Sequence, residues 1–198
     1  MGDMFFISDY HMFHKNSIKF DNRPFESIEE MNNVIVSNWN NKITPKDVVY
    51  ILGDMFWCND TLSHNIIESL KGRKILIRGN HTNGTESLAN KALFEEITDY
   101  KEIRFNKQLL VLCHYPLFSW NGMRNGSIHL YGHLHNSEEQ DRYEEYINEV
   151  RKNNKQCFAY NVGCMMPYIN YEPQNLNTII KEGEKYYKNK FKSFVVDI

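Results

Sequence analysis

Five short stretches carry side chains able to bind cations or move protons: Asp9-Tyr10-His11, Gly53-Asp54, Gly79-Asn80-His81, His114, and Gly132-His133-Leu134-His135. With His81 set aside, they offer two carboxylates, one amide and four imidazoles. This mixed oxygen and nitrogen donor set, without thiolate, suits borderline divalent ions such as Mn, Fe, Zn, Ni or Co. Seven donors are too many for one ion. Two ions about 3.5–4 Å apart divide such a set when one carboxylate bridges them, and that pair clamps the attacking and leaving oxygens of a phosphoryl displacement. A lone histidine is more often structural than a ligand, but five of the eight histidines fall in these stretches, each at the end of an apolar run. His64, on a helical stripe, and His129, inside a strand, read as structural or surface residues.

The apolar runs are what must bring these groups together. Residues 4–8 form a short continuous apolar run, as in a buried strand, and a polar loop follows it to Arg23-Pro24-Phe25. Ser27-Ile28-Glu29-Glu30 reads as a capping box opening a helix with Met31, Val34, Ile35 and Trp39 on its apolar face. Residues 47–52, DVVYIL, are a second strand ended by Gly53-Asp54. Leu62, Ile66, Ile67 and Leu70 form another helical stripe, closed by Lys71-Gly72, and residues 74–77 begin a third strand. After a helix over 86–96 the pattern turns to strands over 100–105, 108–113, 128–131 and 157–162. The βαβαβ alternation predicts parallel strands with right-handed crossovers, an α/β sheet covered by helices. Ligands of such sheets gather beyond the carboxyl ends of the strands, where all five stretches fall. Residues 138–155 read as a surface helix with an acidic start and a basic end. The segment 181–198 mixes basic and aromatic residues and reads as a solvated stretch followed by an edge strand over 193–198.

At 198 residues, 41% hydrophobic, the chain suits one domain spanning 1–198. A net charge of -2 and a pI near 6.4 argue against a broad basic surface for nucleic acid. No run approaches the roughly 20 apolar residues of a membrane span. The start lacks a signal-peptide pattern, and Phe6 stands where a myristoylation signal has Ser or Thr. Cys58, Cys113, Cys157 and Cys164 form no Cys-x-x-Cys pair and sit in apolar runs, as free thiols in a reducing compartment do, so a cytoplasmic location is expected.

In order and spacing, Asp9-x-His11, Gly53-Asp54, Gly79-Asn80-His81, His114 and Gly132-His133-x-His135 resemble the motifs of the calcineurin-like metallophosphoesterases. The resemblance runs from residue 4 to about 165, where YNVGC is similar to the Asn-Val-Gly strand that follows the last histidine motif in small bacterial and phage members. It implies a layered α/β sandwich, two mixed β-sheets flanked by helices, and a phosphoester hydrolase using two divalent metal ions, Mn foremost. It implies that Asp9, His11 and His135 hold one ion and that Asn80, His114 and His133 hold the other, with Asp54 bridging. His81 is left as the general acid on the leaving oxygen, while a metal-bridging hydroxide attacks phosphorus in line. Family members commonly carry Asp or Glu after the Asn-His pair, whereas this chain has Thr82.

A phosphodiester, such as a cyclic or oligonucleotide, is the first expectation for the substrate, because small members without a cap domain leave the site open. A phosphomonoester or a nucleotide pyrophosphate is the alternative. A non-catalytic scaffold of the same fold, as in a retromer subunit, would show eroded ligands, and none of the eight positions is eroded here. His14, Arg23, Tyr115 and Arg124 are candidates for contacting substrate: His14 borders the site, the arginines suit bidentate phosphate clamps, and Tyr115, like Trp120, offers a stacking ring. Each has a surface or packing alternative. The oligomeric state stays open.

Overall fold

The computed structural model describes residues 2–81 and 84–191, so Thr82 and the strand expected over 193–198 lie outside the described residues. In chain order the elements are β1 (Met4–Ile7), α1 (Lys15–Phe20), α2 (Ile28–Lys42), β2 (Val48–Leu52), α3 (Asp60–Ser69), β3 (Arg73–Ile77), α4 (Leu88–Lys91), β4 (Glu96–Thr98), β5 (Tyr100–Phe105), β6 (Gln108–Cys113), β7 (Ile128–Tyr131), α5 (Glu138–Asn153), β8 (Phe158–Asn161), β9 (Gln174–Asn175) and α6 (Leu176–Lys190).

They form two mixed sheets. The first has the order β4-β3-β2-β1-β9, with β1 to β4 parallel and β9 antiparallel to β1. The second has the order β5-β6-β7-β8, in which β5 and β6 make an antiparallel hairpin and the other pairings are parallel. Strands covered on both faces need apolar residues throughout, and β2 and β7 are buried along their whole length. One apolar core takes residues from both sheets, with Phe6, Ile51, Leu76, Leu112 and Leu130 in the same cluster.

Helix α2 begins as its sequence predicts: Ser27 Oγ accepts from the Glu30 backbone N–H at 3.0 Å. The Glu30 carboxylate reaches one residue further back than a capping box requires, accepting from the Glu26 N–H at 2.7 Å. The helix is anchored by Trp39, fully buried, whose indole N–H donates to Lys71 O at 2.8 Å.

Four expectations are corrected. The polar loop before Arg23 contains α1, which starts at His14 with no side-chain cap. The helix expected over 86–96 shrinks to the single turn of α4, because residues 96–98 pair with β3 as β4. Leu62 is 47% exposed, so the buried stripe of α3 rests on Ile67, with Leu70 just beyond its end. The stretch from residue 181 is solvated on one face only: up to Lys190 it continues α6, which exposes its lysines and buries Leu176, Ile179, Gly183, Glu184 and Tyr187 on the other face. Glu184 escapes the usual cost of a buried charge by pairing with Arg151 of α5 at 3.0 Å. All four cysteines are free, and among the described residues no helix is long and apolar enough to cross a membrane.

Candidate metal centre

Each ligand stretch follows the carboxyl end of a strand, and the connecting loops are tied to one another by backbone hydrogen bonds. Asp9 N–H donates to Gly53 O (3.2 Å), His11 N–H to Asp54 O (2.9 Å), and Gly132 N–H to His114 O (2.9 Å). The two sheets meet at the same place, where Ser8 bridges Gly163 and Cys164 N–H donates to Ser8 O at 2.9 Å. The local backbone is unusual. Asp9, His11, Asp54, His133 and His135 all have positive φ, between 47° and 72°, a region non-glycine residues seldom occupy. Two glycines let the backbone come close: a Cβ on Gly79 would overlap Asp54 Oδ1, and one on Gly132 would overlap Asp9 Oδ2 and Ser8 Oγ.

Both carboxylates are buried and each is held by one backbone donor. His133 N–H donates to Asp9 Oδ2 at 3.0 Å, and His81 N–H donates to Asp54 Oδ1 at 2.9 Å. Asp54 Oδ2 stands 3.6 Å from His11 Nε2 on one side and 3.5 Å from His114 Nε2 on the other. Around Asp9, His135 Nε2 lies 3.7 Å from Oδ1 and 3.1 Å from His11 Nε2. Around Asn80, Oδ1 lies 3.1 Å from His114 Nε2 and 2.9 Å from His133 Nδ1.

Hydrogen bonds behind the rings fix what they present. His114 Nδ1 sits 2.6 Å from Leu52 O, which only accepts, so the neutral ring carries its proton there and turns a bare Nε2 inward. His135 Nδ1 sits 3.0 Å from both oxygens of Asp21, with the same result. His114 Nε2, Asn80 Oδ1 and Asp54 Oδ2 therefore converge as three acceptors. A second convergence joins Asp9, His11 and His135, whose ligand atoms all lie within 4.8 Å of one another. Such donor sets fit divalent cations.

Burial and neighbouring charge act differently across the cluster: they favour neutral rings at His11 and His133 and an ionised Asp9, and favour the protonated form at His135 and Asp54. Burial pushes His11 down to about 3, against the pull of Asp9, so the ring is a neutral ligand near pH 7. His133 is lowered by burial and by His114. Burial acts most strongly on His135 and would lower it, but the hydrogen bond to Asp21 and the charges of Asp9 and Asp21 leave it raised. In Asp9, burial is outweighed by His135, His114 and His11, and the carboxyl is lowered. Asp54 is raised by burial, with Asp9 adding to it.

A cavity of about 340 Å³ opens on this cluster, lined by His11, Asp54, Asn80, His81, His133 and His135 together with His14, Ser17, Phe20, Asp21, Trp57, Asn136 and Ser137. A wider groove of about 780 Å³ around Arg104, Lys107 and Lys155, at the opposite ends of β6 to β8, has neither carboxylate nor imidazole in its lining. The smaller cavity is the one with ligand chemistry.

Of the residues considered for substrate contact, His14 lines the cavity and stacks on Trp57 with ring centres 4.4 Å apart. Tyr115 is 43% exposed beside the site, its ring 4.7 Å from that of His133. Arg23 is turned away from the cavity. It is buried and fully engaged, with Nε and Nη2 on Asp21 Oδ2 (2.9 and 2.7 Å), Nη1 on Tyr10 O (2.6 Å) and Nη2 on Asp9 O (2.9 Å). Arg124 is exposed and lines neither the cavity nor its rim. Trp120 packs in the interior and donates to Ser127 Oγ at 3.0 Å. His64 pairs with Asn90 Oδ1 at 2.8 Å, and His129 is buried between Val111 O and the Leu117 N–H, so both are structural.

Two site residues have no motif to announce them. Asp21 orients His135 and is itself held by Arg23, which also grips the backbone of Asp9; its only trace in the sequence is Asp-x-Arg in a polar loop. Trp57 stands three residues after Asp54, its ring edge-on to His81 at 4.6 Å. Partners that orient metal-binding histidines commonly contribute 10- to 100-fold to metal affinity. Asp21→Asn is accordingly expected to weaken metal binding by about 10- to 100-fold while the chain stays folded. Isothermal titration of the metal-stripped variant checks this, and unchanged affinity would remove Asp21 from the site.

Comparison with known proteins gives consistent results. An uncharacterized protein of Methanocaldococcus jannaschii is 34% identical over 187 residues, covering 93% of each chain. The crystal structure of a protein of unknown function, AQ665 from Aquifex aeolicus, superposes with a TM-score of 0.68 at 29% identity, covering 92% of this chain and all of the other. The family model for calcineurin-like phosphoesterases matches residues 4–161. By that match, over a two-sheet fold with these ligand clusters at its strand ends, the chain belongs to the calcineurin-like phosphoesterase family.

Proposed function

We propose that the chain is a phosphodiesterase that works with two divalent metal ions, Mn foremost. Asp9, His11 and His135 hold one ion, Asn80, His114 and His133 the other, and Asp54 is shared. The observation that carries this reading is Asp54 Oδ2, which faces His11 Nε2 at 3.6 Å and His114 Nε2 at 3.5 Å, so a single carboxylate serves both halves. When bound, such ions supply positive charge for the phosphoryl oxygens and acidify a water enough for attack near neutral pH. The chain's own part is to orient and to move protons. Asp21 and Leu52 O keep the His135 and His114 rings turned inward, and His81, on the cavity wall, protonates the leaving oxygen.

The charge of the cavity supports a diester over a monoester. Among the described residues no Lys or Arg lines it, and Arg23 is already committed to Asp21. A monoester dianion brings a second negative charge towards two ligand carboxylates with no side-chain cation to receive it, whereas a diester brings one. Four free thiols support a reducing, cytoplasmic setting.

Side-by-side assays of the Mn-loaded protein on bis-nitrophenyl phosphate, nitrophenyl phosphate and cyclic nucleotides test the reading. The expected result is a kcat/KM for the best diester at least about tenfold above the monoester, a difference of about 1.4 kcal/mol. The reverse order would make it a monoesterase, and turnover of neither by a metal-loaded sample would favour a scaffold. Metal should also stabilise the fold. At about 100 times Kd the linkage gain is about 2.7 kcal/mol, so Tm is expected to rise by roughly 5–10 °C over the chelator-treated protein. Equal melting curves with and without Mn would count against a formed metal site.

A further inference from the structure

If His81 protonates the leaving oxygen, the group attached to that oxygen lies on the His81 side of the cavity. That side is aromatic. Trp57 meets His81 edge-on with ring centres 4.6 Å apart, and its opposite neighbour is His14, stacked at 4.4 Å with 25° between planes. Phe20 continues the row, 6.1 Å from His14, and all four rings line the cavity. Two of them are poorly satisfied as surface residues, since Trp57 is 40% and Phe20 72% exposed. Among the described residues the Trp57 indole N–H and the Asn136 side-chain amide, at the rim, have no hydrogen-bond partner. A planar group with polar edges uses both features, apolar faces against rings and edges against an indole N–H and an amide. An aliphatic polyol or a second charged phosphate uses only the polar donors and leaves the ring faces uncovered. The cavity, about 340 Å³, is at the small end of ligand clefts, matching a mononucleoside rather than an enclosed polymer.

We propose that the leaving group is planar and aromatic, as a nucleobase-bearing alcohol is, and that Trp57, with His14 and Phe20, is the wall on which it seats. This rests on the phosphodiesterase reading and on the role given there to His81. Trp57 then sets specificity, and the alternative is that it only packs His81 in place.

The test separates these. Two methyl phosphodiesters whose leaving alcohols are 2-naphthylethanol and 2-cyclohexylethanol present the same kind of primary alkoxide and differ in planarity. The wild-type protein is expected to favour the naphthyl ester by about tenfold in kcat/KM, mostly through KM. Trp57→Leu should collapse that ratio towards one, and Trp57→Phe should keep part of it. A wild-type ratio near one, or a ratio untouched in Trp57→Leu, would overturn the proposal. So would equal losses on both esters, which mark a residue that only positions His81.

Binding gives an independent readout. Of the three tryptophans Trp39 and Trp120 are buried, so quenching of fluorescence by methyl 2-(2-naphthyl)ethylphosphonate, in which a P–C bond replaces the scissile P–O bond on the naphthyl side, reports on Trp57 and should vanish in Trp57→Leu. Quenching without turnover of either ester would uphold the aromatic seat while refuting the diesterase reading. Absence of quenching at saturating phosphonate would overturn the seat itself.

Discussion

Asp54→Asn is expected to lower kcat/KM for a diester by at least about 10³-fold, roughly 4 kcal/mol of transition-state stabilisation, and to lose bound metal at the same time. The two losses are coupled because one oxygen of Asp54 faces an imidazole from each half of the proposed ligand set. One oxygen accepts from the His81 N–H, which leaves Oδ2 alone to meet the two imidazole nitrogens. An amide in its place keeps the volume but not the charge, and whichever way it turns it offers an N–H either to a backbone donor or to the rings that supply lone pairs. The fold itself has no reason to fail. Asp54 is buried and its carboxyl is raised by that burial, so a neutral isostere is tolerated at least as well before metal binds. Metal content, steady-state rates and the melting temperature of the metal-free protein form one set of measurements. Two ions retained with full turnover would sink the assignment.

Backbone strain at the site sharpens that expectation. Five of the seven residues proposed as ligands hold φ between 47° and 72°, and a residue kept in a sparsely populated region costs of order 1–3 kcal/mol. The loops stay there because they are tied to one another, Asp9 to Gly53, His11 to Asp54 and Gly132 to His114. The positions proposed as ligands are thus held by the two sheets and their linked loops, and a substitution at one of them should remove metal without dismantling the loops.

Much of this was legible in the sequence, and the physical reason is the sheet. Parallel strands covered on both faces must be continuous apolar runs, and each run here ends at a residue type that stands out against it: Asp9 after MFFIS, Asp54 after VVYILG, Asn80 after ILIRG and His114 after LLVLC. Residues that act through such groups leave no such mark. Asp21 and Arg23 lie in a polar loop and owe their role to a contact with His135 across 114 positions of chain. Arg23 reads as a phosphate clamp because an arginine in a loop is usually solvated; its burial under Asp9 and Tyr10 is a tertiary fact. Trp57 lies in the loop after β2 with nothing in its spacing to mark it, and its place beside His81 is likewise a tertiary fact. The missed helix α6 has the same origin, since its buried face includes Gly183 against the Tyr160 ring and Glu184 paired to Arg151, neither of which counts as apolar in a periodicity.

His81→Ala is expected to keep both metals and lose about 10²- to 10⁴-fold in kcat, with the loss growing as the leaving group becomes more basic. Its attachment to the metal cluster is through the backbone, N–H to Asp54 Oδ1 at 2.9 Å, and alanine preserves that bond. The ring makes edge contacts with Trp57 at 4.6 Å and with His11 at 5.5 Å, so it is positioned by neighbouring rings. A proton donor matters most when the departing oxygen cannot carry negative charge unaided. A nitrophenolate leaves without help, whereas an alkoxide must be protonated as the P–O bond breaks. Across a series of methyl diesters of graded leaving-group acidity, the variant should therefore show a steeper dependence of log kcat on leaving-group pKa than the wild type, the two lines converging at the acidic end. Parallel lines would mean that His81 helps to bind the phosphoryl group, a uniform electrostatic contribution, and not that it delivers the proton. Because the metals remain in this variant, their content separates a failed proton transfer from the collapse expected of Asp54→Asn.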